Sequence, residues 1–214
     1  MEVKLYRMKI LTVIVLILVI IVLTGIYVMT NAKTETQKYE VVFSKDNFEI
    51  RFYPEAILAT VQMNGSYDIS RNSGFSLLAG YIFGGNSENT KIAMTSPVRV
   101  TTGSNSSTMS FVMPSELGFE KLPNPNDPNI ILQKSKPMYT ASLRFGGYAN
   151  DAEIEKHKEK LTDILKQLHI QHTNQFEFLG YNPPFQPVNR RNEVQVQLRD
   201  FNPDLYRNGV IKTK

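Results

Sequence analysis

The sequence predicts an α+β fold in which two βαββ units join into one curved or barrel-like sheet with two helices outside it, preceded by one transmembrane helix. Three observations lead to this fold class. Residues 10–32 carry no charge, the chain beyond them matches itself weakly at an offset of 81 residues, and each matching half contains one helical segment between strands. The polar remainder of the 214-residue chain is long enough for one domain with a substantial core.

The first element is a hydrophobic helix near the N-terminus. Residues 10–29 are almost wholly Ile, Val, Leu and Met, and at about 1.5 Å per residue such a run spans the ~30 Å hydrocarbon core of a bilayer. A cleaved signal peptide is the main alternative, but its apolar region normally has about 7–15 residues and ends at a small-residue cleavage site. Because residues 29–32 match such a site poorly, we predict a retained transmembrane helix over residues 10–30.

Charges around this helix predict its orientation. Lys4, Arg7 and Lys9 lie within residues 1–9, whereas the segment after the helix has little net charge. Since positive loops stay on the cytoplasmic side, residues 1–9 are predicted to be cytoplasmic and the domain extracytoplasmic. Residues 31–38 then form a short polar tether in a single-pass, membrane-anchored protein.

The formal net charge of +4 does not indicate nucleic-acid binding. Four of the 24 cationic residues and one of the 20 acidic residues lie in residues 1–33, which leaves a net charge of +1 for the rest of the chain. A nearly neutral domain lacks the electrostatic attraction that nucleic-acid binding requires. The chain has no cysteine, which excludes disulfides and thiol chemistry.

The domain itself reads as a duplicated pattern. Residues 50–67 and 131–148 match at the offset of 81, each with a strand, a proline, a second strand and a glycine-containing turn. Each half then continues into a helix and two further strands around a proline-containing turn. The predicted strands cover residues 57–63, 91–95, 98–100, 109–113, 138–145, 176–180 and 194–198. This pattern predicts two βαββ units within a domain of residues 39–202, followed by a C-terminal tail over 203–214.

The two predicted helices differ in character. Residues 151–168 are amphipathic, with Asn150 and Glu153 as a capping box. Their apolar stripe consists of Ile154, Leu161, Ile164, Leu165 and Leu168. Residues 69–83 are apolar around much of the helix, so packing on the sheet leaves further apolar groups beside it. That surplus indicates either a ligand cleft or partner surface, or a surface buried by neighbouring loops.

Six short segments follow one another in a definite order along residues 39–200. They are Phe75-x-x-Leu78-x-x-Tyr81-Ile82-Phe83-Gly84-Gly85-Asn86, Lys91-Ile92-Ala93-Met94-Thr95-Ser96-Pro97-Val98, Met109-Ser110-Phe111-Val112-Met113-Pro114, Phe145-Gly146-Gly147-Tyr148, Tyr181-Asn182-Pro183-Pro184-Phe185 and Arg190-Arg191-Asn192-Glu193-Val194. Together they resemble the SOUL haem-binding protein family, and six in register make a specific match. The resemblance implies a distorted antiparallel β-barrel of two βαββ units with two helices, in agreement with the internal repeat.

The same resemblance implies a binding site for haem or another porphyrin. The site is a hydrophobic cleft between the first helix of the domain and the loop with the Tyr-Asn-Pro-Pro motif. The matching positions are Phe75, Leu78, Ala79 and Ile82 on the helix, and Pro183, Pro184 and Phe185 on the loop. Where relatives have a helix arginine that pairs with a haem propionate, this chain has Asn72, with Arg71 beside it. Arg190 is a further candidate for a propionate, or pairs with a carboxylate such as Glu193.

Iron ligation and catalysis have little support in the sequence. His157 falls on the apolar stripe of the second helix, which favours a partly buried, hydrogen-bonded side chain over an axial haem ligand. His169 and His172 lack a third ligand nearby, so an interaction with the helix C-terminus is favoured over a metal site. No axial ligand and no metal site is assigned. The sequence has no G-x-S-x-G or H-E-x-x-H motif and no phosphate-binding or dinucleotide glycine loop.

The sequence therefore predicts a membrane-anchored, non-enzymatic haem- or tetrapyrrole-binding protein of SOUL type. Two alternatives stay open. The duplicated fold is also similar to effector-binding domains of transcription regulators, whose clefts often contain an acidic residue for cationic drugs. The protein would then be a membrane-tethered sensor or carrier for other amphipathic small molecules. The second alternative is a protein-interaction domain that uses the first helix.

Overall fold

The computed structural model describes residues 2–31, 34–101 and 106–207. The chain divides into two compact units between Thr34 and Glu35. The first unit contains helix α1 (Glu2–Asn31). Within the described residues, no helix combines the length and the apolar character needed to cross a membrane. The transmembrane helix predicted over residues 10–30 is therefore not supported by the structure.

The second unit contains all the other elements of the described chain. Its strands are β1 (Glu35–Thr36), β2 (Glu40–Lys45), β3 (Phe48–Tyr53), β4 (Ile57–Asn64), β5 (Thr95–Ser96), β6 (Val98–Thr101), β7 (Ser106–Val112), β8 (Ile130–Lys134), β9 (Met138–Phe145), β10 (His172–Gly180) and β11 (Asn192–Leu198). Its α-helices are α2 (Tyr67–Ile82), α3 (Asp151–Gln167) and α4 (Asp204–Arg207).

In the described chain, nine of these strands form an antiparallel sheet in the order β2-β3-β9-β11-β10-β6-β7-β4-β8. The offset of 81 residues carries the first residue of β4, Ile57, onto the first residue of β9, Met138. In the order of the elements, β3 then corresponds to β8, β6 to β10 and β7 to β11. When each strand is replaced by its counterpart, the order from β3 to β8 in the sheet is reversed about the β10–β6 pair. The predicted duplication is thus confirmed, and the two halves meet where β6 pairs with β10.

The sheet does not close into the predicted barrel. Its edges in the described chain are β2 and β8, which pair only with β3 and β4 respectively. The two edge strands are exposed along much of their length and end in Lys45 and Lys134. Charged, exposed edges disfavour further strand pairing, and β2 has no counterpart in the second half. The barrel prediction is therefore wrong, and the sheet remains open.

The strand predicted over residues 91–95 is also wrong, apart from its last residue. The Ile92 N–H donates to the carbonyl oxygen of Ile82 at 2.8 Å, so this segment bonds to the end of α2 and not to the sheet. β5 pairs in parallel with β1, which comes from the predicted tether. The next tether residue, Gln37, donates its N–H to the carbonyl oxygen of Ser96 at 2.8 Å. Part of the tether is thus integrated into the folded domain.

Helices α2 and α3 pack on one face of the nine-stranded sheet. α3 begins after Asn150, whose side-chain oxygen accepts from the Glu153 N–H at 2.8 Å, and this confirms the predicted cap. Three residues of its stripe, Ile154, Leu161 and Leu165, are buried as expected. α2 approaches the sheet closely through Gly74, where any Cβ atom would collide with the sulfur of Met63.

The predicted C-terminal tail is partly folded. The ring of Tyr206 in α4 packs edge-on against Phe43 of β2, with ring centroids 5.9 Å apart. Residues 208–214 of the predicted tail lie outside the described residues, as do residues 32–33 of the predicted tether.

Candidate functional site

A cavity of about 480 Å³ opens on the helix-bearing face of the sheet. Its floor lies where the two halves meet, and consists of Val98 and Val100 of β6, Met109 of β7, and Phe178 of β10. α2 forms one wall, and the loop of residues 181–191 between β10 and β11 forms another. We call this cavity the cleft. Small-molecule sites usually measure about 300–1,000 Å³, so its size suits a small ligand.

The cleft brings together five of the residues predicted from the sequence. Arg71, Asn72 and Phe75 of α2 line one side, and Pro184 and Arg190 of the loop line the other. The other predicted residues do not line it. Leu78 and Ile82 are buried in the core, Ala79 is half-buried, and Pro183 and Phe185 are exposed on the loop.

The helix stripe explains this division. Arg71, Phe75, Leu78 and Ile82 follow the spacing of one helix face, but the cleft extends only along the first part of α2. In the last turns the same stripe is covered by the core, where Leu78 is 0% exposed. Helical periodicity therefore identifies the correct face of α2, but not the point along the helix where the cleft ends.

Several lining residues were not among the site residues predicted from the sequence. They are Tyr67, Ser76, Val98, Val100, Met109, Tyr148, Ala149, Phe178, Gly180, Asn182 and Asn192. The strand residues among them, such as Val98 and Val100, alternate along the sheet and share one face. That alternation was visible in the sequence, whereas the pairing of β6 with β10 that brings the two halves together was not.

The charged groups of the cleft are positive. Arg71 and Arg190 line it, and no acidic residue is among the described residues that do so. Arg71 is exposed and makes a long ion pair with Asp68, 3.6 Å between Nη1 and Oδ1. Its guanidinium carbon also lies 5.6 Å from the ring centroid of Tyr67. Burial raises the pKa of Tyr67 above its ordinary value of 10.0, so this phenol stays neutral. The cleft therefore combines an apolar floor with two cations, and Asp68, the acidic partner of Arg71, does not line it.

Arg190 is bonded to the loop but keeps unused donor capacity. Its Nη1 donates to the carbonyl oxygens of Pro183 and Gln186, each at 2.9 Å. Its guanidinium carbon lies 4.5 Å from the ring centroid of Tyr148. Its Nε is buried and has no hydrogen-bond partner among the described residues. No ion pair with Glu193 forms in the described chain, since it is the neighbouring Arg191 that binds Glu193.

On the opposite face of the sheet, the ends of the same loop join a buried ion-pair network. Asn192 of β11 lines the cleft, so the alternation of the strand directs Glu193 away from it. Glu193 is 0% exposed. Its carboxylate accepts hydrogen bonds from Arg51 (Nη1 to Oε2 2.5 Å, Nη2 to Oε1 3.0 Å), from Arg191 Nε at 2.8 Å and from the Tyr181 hydroxyl at 3.0 Å. We call these four residues the Glu193 network.

The charges of the Glu193 network stabilise one another. Burial alone would raise the pKa of Glu193, but the hydrogen bonds and charges of Arg51 and Arg191 outweigh it, and the pKa lies below the ordinary value of 4.5. Burial lowers the pKa of Arg51, yet Glu193 reverses this effect and raises it. Burial and the negative charge of Glu193 raise the pKa of Tyr181, so its hydroxyl remains a donor.

The histidines lie outside the cleft in the described chain. His157 stacks on Phe145 with ring centroids 4.0 Å apart, and its Nδ1 lies 2.7 Å from the carbonyl oxygen of Glu153. This confirms the predicted partly buried, hydrogen-bonded side chain. His169 follows α3 with a positive φ of 54°, and His172 begins β10. Among the described residues, no three side chains of metal-ligating type come together.

A duplicated βαββ fold with a cleft at the junction of its halves is typical of a small-molecule-binding module. The chain matches the family described as SOUL heme-binding protein over residues 34–197. It therefore belongs to the SOUL heme-binding protein family.

Two relatives illustrate the similarity in sequence. The chain is 30% identical over 155 residues to heme-binding protein 1 of Xenopus tropicalis, which covers 69% of this chain and 81% of that protein. It is 29% identical over 157 residues to heme-binding protein 2 of Homo sapiens, which covers 69% and 76%. These relatives are named as binding proteins and not as enzymes.

Solved structures share the fold at much lower sequence identity. The C-terminal domain of EcmrR superposes with a TM-score of 0.56 at 11% identity, covering 76% of this chain and 99% of that chain. A hydrolase from Listeria innocua superposes with a TM-score of 0.54 at 9% identity, covering 73% and 94%. At such identities the likeness concerns the fold alone.

Proposed function

We propose that the protein binds haem or a related anionic tetrapyrrole in the cleft and has no catalytic activity of its own. One observation carries the proposal: the apolar cleft has Arg71 and Arg190 on its walls and no acidic residue among its described lining residues. A porphyrin combines a flat apolar ring with carboxylate groups, and guanidinium groups bind carboxylates through charge-assisted hydrogen bonds. Membership of the family, and the names of the relatives, support the same ligand class.

Each part of the cleft has a role in this proposal. Phe75, Pro184 and Phe178 offer apolar and aromatic contact to the ring. Arg71 and the partly unpaired Arg190 hold the propionates. Bound haem would bring a redox-active iron and a strong visible absorption band. Iron in haem proteins is held by His, Met, Cys or Tyr, and we assign no axial ligand among the residues of the cleft.

The charge of the cleft also supports one of the two small-molecule hypotheses over the other. A site for cationic effectors often contains an acidic group that faces the ligand and attracts its charge. Glu193 is buried, but it faces the opposite side of the sheet and is already bound by Arg51 and Arg191. The cleft therefore favours an anionic amphipathic ligand over a cationic one.

Titration of the purified full-length protein with haemin tests the proposal. We expect a saturable shift of the Soret band, with a blank of buffer and detergent alone. Phe75→Asp places a negative charge in the cleft and should abolish the shift. Ile69→Asp is the matched control, because Ile69 is on the same helix, is 79% exposed and does not line the cleft.

Two outcomes would contradict the proposal. The first is the absence of any Soret shift with the unaltered protein. The second is tighter binding of a porphyrin with cationic substituents than of haemin, which would favour the effector-binding alternative. An equal loss of the Soret shift in Phe75→Asp and Ile69→Asp would show that haemin does not bind in the cleft.

We also propose that residues 10–30 attach the protein to a membrane, with residues 1–9 in the cytoplasm and the domain outside. The uncharged run of residues 10–29 and the cations before it support this proposal. We expect the protein to stay in the membrane pellet after alkaline carbonate extraction. Leu16→Arg combined with Val19→Arg should release it, since each central arginine disfavours insertion by about 2.5–3.5 kcal/mol. Complete release of the unaltered protein would contradict membrane attachment.

A further inference from the structure

The loop that forms one wall of the cleft is fastened from the opposite face of the sheet. Residues 182–190 supply Asn182, Pro184 and Arg190 to the cleft. The two residues that flank this stretch, Tyr181 and Arg191, belong to the Glu193 network. The side chains that hold the base of the loop, Tyr181 and Arg191, are therefore not among the residues that line the cleft.

Both ends of the loop bind the same carboxylate and each other. The Tyr181 hydroxyl donates to Oε2 of Glu193 at 3.0 Å, and Nε of Arg191 donates to Oε1 at 2.8 Å. The guanidinium carbon of Arg191 also lies 3.9 Å from the ring centroid of Tyr181. Their backbones are joined by a hydrogen bond of 3.3 Å from the Tyr181 N–H to the Arg191 carbonyl oxygen. The base of the loop is thus closed by side chains and main chain together.

From this base, hydrogen bonds lead to Arg190. The Arg191 N–H donates to Oδ1 of Asn182 at 2.6 Å, which ties the two sides of the loop together above its base. Arg190 then donates to the carbonyl oxygens of Pro183 and Gln186. The position of its guanidinium therefore depends on the backbone of the loop, and that backbone depends on Tyr181 and Arg191.

Glu193 provides a firm reference point for the loop. Arg51 lies on β3, which is separated from β11 by β9, and binds both carboxylate oxygens. Arg51 and Glu193 are almost completely buried. Because separating them would break two hydrogen bonds between opposite charges that are almost completely buried, the carboxylate is unlike a surface group and has a well-defined position.

We infer that Tyr181, held by Glu193, is a positioning residue of the cleft: it sets the loop so that Arg190 meets the carboxylate of a ligand. Tyr181 does not itself line the cleft. The inference rests on the proposed function, because it assumes that the ligand carries carboxylates. Under this inference, the preference for ligands with carboxylates depends in part on Tyr181, whose hydroxyl binds Glu193 on the face of the sheet opposite the cleft.

A matched pair of variants tests this inference in the full-length protein. Tyr181→Phe removes the hydroxyl that donates to Glu193 and keeps the ring under Arg191. Tyr53→Phe removes another buried hydroxyl beside the same network, 3.3 Å from Nη1 of Arg51, but Tyr53 lies on β3 and not next to the loop. We expect Tyr181→Phe to weaken haemin binding about tenfold, as loss of one hydrogen bond to a charged group does. Tyr53→Phe should leave the affinity within about twofold of the original, since a hydroxyl remote from the loop shifts binding little.

Two further measurements separate positioning from a general loss of stability. Tyr181→Phe should weaken binding of haemin more than binding of haemin dimethyl ester, whose carboxylates are blocked. In an Arg190→Ala background, Tyr181→Phe should have no further effect, because the residue acts through Arg190. An undiminished effect in that background, or an equal effect of Tyr53→Phe, would overturn the inference.

Hydrogen exchange without ligand keeps the inference testable if haemin does not bind. We expect the non-proline amides of residues 182–191 to exchange faster in Tyr181→Phe than in Tyr53→Phe. Faster exchange together with no haemin binding would contradict the proposed function and leave the positioning of the loop intact. Normal haemin binding with unchanged exchange and affinity in Tyr181→Phe would overturn the positioning role and leave the proposed function intact.

Discussion

The cleft and the Glu193 network use neighbouring arginines in opposite ways. The guanidinium of Arg191 donates from Nε to Oε1 of Glu193 at 2.8 Å and from Nη2 to the hydroxyl oxygen of Tyr39 at 3.0 Å. Arg190 meets no carboxylate in the described chain, and its buried Nε has no partner there. A cation paired with a buried carboxylate holds a fold together, whereas a partly unpaired cation in a cavity is available to a ligand. The contrast separates a structural arginine from a candidate binding arginine one residue away.

The largest expected effect is the loss of Glu193. Glu193→Gln removes the buried carboxylate that binds both Arg51 and Arg191, although Arg51 keeps its ion pair with Glu49. Breaking a buried ion pair costs about 3–5 kcal/mol. The free energy of unfolding, measured by urea denaturation of the full-length protein, should fall by that amount. Arg190→Gln serves as the comparison and should change the unfolding free energy by less than about 1 kcal/mol. Similar losses in both variants would remove the distinction between the two regions.

Arg190, whose replacement should change the unfolding free energy little, is expected to matter most for ligand binding. Arg190→Gln should weaken haemin binding about 10- to 100-fold, the range for a lost charge-assisted hydrogen bond. Arg71→Gln should weaken it less, by about fivefold at most, because the side chain of Arg71 is exposed to solvent. Haemin titrations of both variants test this order. A stronger effect at Arg71 would place the principal carboxylate contact on α2 and not on the loop.

Acid should reduce the stability of the Glu193 network. The pKa of Glu193 in the folded protein lies below the ordinary 4.5, so its stabilising effect is complete above that pH and declines as the pH falls through the folded value. We therefore expect the difference in unfolding free energy between the unaltered protein and Glu193→Gln to narrow below pH 4.5. A constant difference down to pH 3 would contradict the lowered pKa.

The smallest effect is expected at His157. His157→Phe should leave the haemin spectrum and affinity unchanged, since the imidazole stacks on Phe145 outside the cleft. Loss of the Soret shift in this variant would instead identify His157 as an iron ligand. The haemin absorption spectrum is the measurement that distinguishes these results.

Local signals in the sequence predicted the elements well. Strand β9 was predicted over residues 138–145, as observed, and the cap at Asn150 set the start of α3. Both depend on residues within a few positions of each other. The strand predicted over 91–95 failed because Ile92 bonds to the end of α2, a contact that strand periodicity does not report. The barrel failed because closure depends on the edge strands β2 and β8, which are far apart in the sequence.

The sequence by itself determined the duplication, the order of the elements, the family, and the helix face that borders the cleft. These features follow from the spacing of residues along the chain, which can be read from the sequence without a structure. Only the tertiary structure decided where the cleft ends along α2, and that Arg190 lines it while Arg191 binds Glu193. The Arg51–Glu193 pair joins residues 142 positions apart. Alternation along a strand defines two faces, but only the pairing of distant strands determines which groups meet on each face.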